Sequence, residues 1–135
     1  MYARAEFDTK EGEQILVKVG ISSVSMEGAA ANLEAEHPGW DFDATAKAAE
    51  KEWNKELSRI KVQTKNVDDL KKFYTALYHT MIAPSEFSDF GKEHRYTTFS
   101  LWDTYRNLHQ LLTLVYPEKQ LDMVRSMVDI YKEWG

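Results

Sequence analysis

The run Phe99-Ser100-Leu101-Trp102-Asp103-Thr104-Tyr105-Arg106 holds the residue types most readily turned to chemistry. An indole beside a carboxylate is a common way for a protein to hold a sugar. The apolar ring face stacks on the pyranose, and the acid accepts hydrogen bonds from neighbouring hydroxyls. The run also reads as the start of a helix, where free backbone N–H groups and a partial positive charge favour and orient a carboxylate. Trp102 and Asp103 are therefore candidate ligand-binding residues. A plainer reading stands beside this one: Asp103 is a first-turn helix acid with an ion pair to Arg106 three residues on.

Two further stretches concentrate aromatic and acidic groups. In His37-Pro38-Gly39-Trp40-Asp41-Phe42-Asp43 the two aspartates could form a carboxylate pair, but capping of the following helix explains them more simply. Phe73-Tyr74-Thr75-Ala76-Leu77-Tyr78-His79 sets aromatic groups on several faces of one helix, as a buried helix or a pocket wall would. The histidines, His37, His79, His94 and His109, are isolated from one another and read as single hydrogen-bonded imidazoles. A His-Glu-x-x-His pair, a glycine-rich phosphate loop and a nucleophile elbow are all missing. No two carboxylates are set out as general acid and general base.

The elements that must carry these residues are mostly helical. The 135 residues are 43% hydrophobic, with four Trp, seven Tyr and six Phe, enough to pack one domain. Net charge is −5 with basic residues scattered among acids, which argues against a nucleic-acid partner. There is no cysteine, hence no disulfide or thiolate chemistry. No apolar run is long enough to cross a membrane, and the N-terminus has no signal-peptide core. Tyr2–Phe7 and Ile15–Ile21 alternate as two strands around the polar turn Asp8–Glu13, predicting a hairpin within residues 1–24.

Residues 25–135 then read as four or five helices, the whole folding as one unit. Ser25 caps Met26–Glu36, and Asp41 or Asp43 caps a second helix with Phe42, Ala46, Ala49, Trp53, Leu57 and Ile60 on one stripe. Asn66 caps a third, stopped by Ala83-Pro84, and a polar loop spans Ser85–Arg95. A fourth helix starts at Thr97 or Thr98 and runs through Trp102, Tyr105, His109, Leu112 and Val115. Pro117 opens a fifth, with Leu121, Val124, Val128 and Tyr131 at three- and four-residue spacing.

Three of these motifs, Gly39–Asp43, Phe73–His79 and Phe99–Arg106, closely resemble in order those of glycoside hydrolase family 92, calcium-dependent exo-acting α-mannosidases that invert the anomeric centre, mostly bacterial. The resemblance spans residues 15 to 135. It implies a fold in which an N-terminal β-sandwich is joined by linker helices to an (α/α)6 barrel. Ile15–Val24 would be the last sandwich strand, 26–61 the linker helices, and 66–134 the first barrel helices. Residues matching the family's acid, base and calcium ligands are missing here, so no catalytic or metal-binding residue carries over and no bound cofactor is expected in this segment. What carries over is a contact from Trp102 and Asp103 to the terminal mannose.

The loop from Ser88 to Tyr96 is shorter than the family's usual connection. That loop and the ending at Trp134-Gly135 give the expectation of an excerpt from a longer enzyme, inactive alone and prone to self-association through uncovered apolar faces. An α-mannoside glycan would be its substrate, and the periplasm, cell surface or exterior its place. The alternative is a stand-alone helical module that binds a partner or glycan without catalysis.

Overall fold

The computed structural model describes residues 4–135. Among them six helices and one two-stranded antiparallel sheet follow in the order α1 (Met26–Glu36), α2 (Phe42–Leu57), α3 (Val67–His79), β1 (Ser85–Glu86), β2 (Tyr96–Thr97), α4 (Leu101–Thr104), α5 (Leu108–Val115), α6 (Pro117–Trp134). No described helix is long and apolar enough to cross a membrane. The mainly helical body is as the sequence predicts. Helix starts are set by local chemistry. Ser25 Oγ accepts from Gly28 N–H, Asp41 Oδ1 from Ala44 N–H, and Asn66 Oδ1 from Asp68 N–H. Asp41 is thus the cap and Asp43 a first-turn acid.

Where strands pair is a correction. The first three residues of the expected N-terminal hairpin lie outside the described ones. Residues 4–22 form neither helix nor strand, with a turn at Glu11-Gly12 and no ladder between the two arms among the described residues. The antiparallel pair forms instead across the expected polar loop, between its first two residues and the two that follow it, with Ser85 opposite Thr97 and Glu86 opposite Tyr96. The reason is burial. Lys18, Gly20 and Ser22 face α1, where Asn32 Nδ2 donates to the Ile21 carbonyl and Ala29 and Leu33 crowd Gly20. Val17, Val19 and Ile21 on the opposite face are 73–81% exposed and gain too little from burial to hold a ladder. The β1–β2 pair packs on α6, where Ser126 Oγ accepts from Tyr96 N–H and donates to the Asp122 carbonyl. Arg95 adds a two-pronged ion pair to Glu133, at 2.9 and 2.6 Å.

The core is the corner between α5 and α6. Tyr96, Leu112, Tyr116 and Met123 are buried together, with Met81, Phe99, Leu108 and Val115 packed against them. The Tyr116 hydroxyl donates to the Glu56 carbonyl, and Arg59 lies 4.8 Å over the Tyr116 ring while pairing with Glu118 at 2.6 Å. This ties the end of α2 to the core. Trp53 and Tyr78 meet edge to face at 4.7 Å between α2 and α3.

On α6 the periodic apolar residues Leu121, Val124, Val128 and Tyr131 face solvent, and Gln120, Met123 and Ser126 are the buried ones. That stripe sits on a different face from the one that meets Leu112 and Tyr116.

Candidate functional site

Trp102 and Asp103 lie on α4, and the backbone around them differs from the single long helix the periodicity predicts. Thr98 and Asn107 both adopt left-handed φ, at 60° and 68°. They bracket α4 and cut it from α5, leaving one helical turn. For a β-branched residue such as Thr98 that conformation is a true outlier, and strain of about 1–3 kcal/mol of this kind gathers at functional sites. The sequence signal for the second break is Asn107, a residue type that tolerates the left-handed region.

On this turn the indole of Trp102 is 85% exposed. Asp103 follows it, its backbone N–H donating to the Ser100 carbonyl and its Oδ2 accepting from the Ser100 hydroxyl. The expected Asp103–Arg106 ion pair does not form. Arg106 Nε donates to the Tyr105 hydroxyl at 2.9 Å instead. Asp103 therefore keeps acceptor capacity beyond its one hydroxyl partner. With α4 a single turn, a long helix macrodipole cannot be what orients the carboxylate; Ser100 does so directly.

Three side chains that the sequence reading left as separate residues hold this turn from behind. His109 Nε2 lies 3.0 Å from the Thr104 hydroxyl, and its Nδ1 lies 3.0 Å from Gln120 Oε1. Thr104 and Gln120 are buried. Thr104, His109 and Gln120 lie on three different helices, so their contact comes from tertiary packing and no periodicity in the sequence announces it.

The other motifs lie elsewhere. In the Gly39–Asp43 stretch Lys18 Nζ sits 4.4 Å over the Trp40 ring and donates to the His37 and Gly39 carbonyls. His94 pairs with Glu86 across the β1–β2 arm. A cavity of about 420 Å³ opens between α2, residues 80–86 and the core, lined by Trp53, Tyr96 and Tyr116 with Glu52, Glu56 and Glu86. Neither Trp102 nor Asp103 reaches it. Burial pushes the Tyr96 phenol up to about 12, helped by the nearby Glu86 carboxylate. Burial likewise raises Tyr116. Glu118 is lowered first by its own backbone N–H and then by Arg59, and Glu133 is lowered by its hydrogen bond from Arg95. Among the described residues no group of three His, Asp or Glu side chains converges on one point.

The comparisons with known proteins point one way. The profile of the glycosyl hydrolase family 92 catalytic domain matches residues 28–135. An uncharacterised secreted glycosidase of Arthroderma benhamiae is 28% identical over 116 residues, covering 78% of this chain and 15% of the fungal protein. The structure of a family 92 inverting mannosidase from Bacteroides thetaiotaomicron superposes with a TM-score of 0.79 at 30% identity, over 83% of this chain and 17% of that one. A second family 92 glycosyl hydrolase shares the fold, with a TM-score of 0.73 at 24% identity over 82% of this chain and 17% of that one. The chain thus spans about one sixth of the length of these relatives. With its aromatic–acidic turn and helical corner in view, the chain belongs to glycosyl hydrolase family 92.

Proposed function

We propose that this chain is the segment of an inverting exo-α-mannosidase that contributes Trp102 and Asp103 to the contact with a terminal α-mannose. The observation that carries the reading is the bracketed α4 turn, which presents an open indole face beside a carboxylate with acceptor capacity to spare. Stacking on the indole would orient the sugar ring, and Asp103 would accept from two neighbouring hydroxyls. Inverting hydrolysis needs an acid and a base about 6.5–9.5 Å apart, with water between them. On this reading that pair, and the calcium the family resemblance implies, belong to other parts of the complete protein. The segment by itself binds weakly and hydrolyses nothing. The name of the fungal relative supports a secreted setting.

Titration of the labelled chain with methyl α-mannoside, followed by residue-resolved NMR, tests the reading. Shifts confined to the Trp102 indole N–H and the amides of Asp103 and its neighbours are expected, with methyl α-glucoside weaker. Shifts centred on the Trp53 cavity, or none, would sink it. Release of mannose from an aryl α-mannoside by the chain alone would overturn the claim that catalysis lies elsewhere.

A further inference from the structure

Residues 105–107 break the backbone hydrogen-bonding between α4 and α5. Tyr105 N–H still reaches back to Leu101, but Asn107 N–H reaches only Tyr105, and the next helical bond, from Leu111 N–H, starts afresh at the Asn107 carbonyl. Helix continuity therefore cannot transmit the orientation of the core to Trp102 and Asp103. A side-chain bridge crosses the break instead. Gln120 on α6, His109 on α5 and Thr104 at the end of α4 are linked by two 3.0 Å hydrogen bonds, and both outer members are buried.

We propose that His109 is a positioning residue, fixing the α4 turn by holding the Thr104 hydroxyl while Gln120 fixes its ring. Its place behind a sugar contact rests on the function proposed above. With Gln120 Oε1 accepting, the tautomer that satisfies both contacts carries its hydrogen on Nδ1 and accepts from Thr104 Oγ at Nε2. Thr104 N–H already donates to the Ser100 carbonyl, so hydroxyl and amide together pin the residue next to Asp103. Because Ser100 in turn binds the Asp103 carboxylate, the bridge reaches the candidate sugar contact in three steps.

The ring nitrogens allow separate tests. In the 135-residue chain, Thr104→Val removes the hydroxyl at nearly constant shape, and His109→Asn keeps a donor near Nδ1 while losing the reach to Thr104. Both are expected to lower the backbone order parameters of residues 101–104 from about 0.85 to below about 0.6, with residues 117–134 unchanged. Thr104→Ser is expected to restore them. The ring nitrogen spectrum of His109 gives a readout that general loosening would not: Nε2 should shift in Thr104→Val as it loses its donor, with Nδ1 still protonated.

Residues 101–104 already disordered in the parent chain, or equally ordered in Thr104→Val, would overturn the proposal. A mannoside titration run in parallel separates the two readings. Lost order without any sugar shift in the parent leaves the bridge standing and removes the ligand. A sugar shift that survives Thr104→Val unchanged does the reverse.

Discussion

Tyr96 shows how much one side chain carries in a core this small. Its ring is 6% exposed, its amide is held by Ser126, and its phenol is pushed up to about 12 by burial and then by Glu86. A folded-state value above the ordinary ~10 means the group contributes stability that is complete below pH 10 and lost as pH rises through 12. Two units correspond to about 2–3 kcal/mol, a large share of the margin of any domain. Chemical denaturation followed by circular dichroism from pH 8 to 12 should show that loss in the parent chain. Tyr96→Phe should flatten the drop while leaving the pH 8 value within about 1 kcal/mol. An unchanged alkaline slope in the variant would place the effect elsewhere.

Helices with side-chain caps were legible because a cap is a local event. Ser25 and Asn66 cap their helices as the sequence predicts, the choice between Asp41 and Asp43 falls on Asp41, and Pro117 opens α6 without a side-chain cap. Trp102 and Asp103 stood out as a residue pair for the same reason. What periodicity could not show is where tertiary packing overrides it. The left-handed turns at Thr98 and Asn107 split an apparently continuous helix, and α6 buries Met123 and Ser126 in place of its more apolar stripe.

Gly28 is a case where both levels meet. Inside a helix, Gly→Ala ordinarily gains about 1 kcal/mol. Here the added carbon would sit 2.7 Å from Asp89 Oδ2 and 2.8 Å from Ser22 Oγ. Asp89 cannot easily yield, since it accepts from both Ser22 and Asn32 to tie α1 to the turn of the β1–β2 arm. Gly28→Ala should therefore lower the thermal midpoint in the parent chain. In the double background Ser22→Ala, Asp89→Ala it should raise it, a coupling that a double-mutant cycle reads directly. A gain in the parent would show that the α1–loop tie gives way freely.

Exposed surface decides how the molecule behaves as a whole. A compact protein of 15.7 kDa exposes about 7300 Å², whereas this chain exposes 11563 Å². Part of the excess is the exposed arm of residues 4–22, and part is the outward stripe of α6, where Leu121, Val124, Val128 and Tyr131 are 42–72% exposed. Apolar patches beyond a few hundred Å² on an isolated chain drive association. The net charge of −5 opposes it only weakly at physiological salt, where screening acts within about 8 Å. Light scattering coupled to size exclusion should accordingly give a mass that rises with concentration, and a hydrophobic dye should brighten on mixing. Val124→Lys with Val128→Glu places opposite charges one turn apart, so helix content should hold while the mass falls toward that of a monomer. If the parent chain runs as a dye-silent monomer at every concentration, the outward stripe of α6 does not drive association. If the doubly charged variant associates as strongly as the parent, the contact lies on another face, and the exposed alternation from Val17 to Ile21 becomes the segment to charge next.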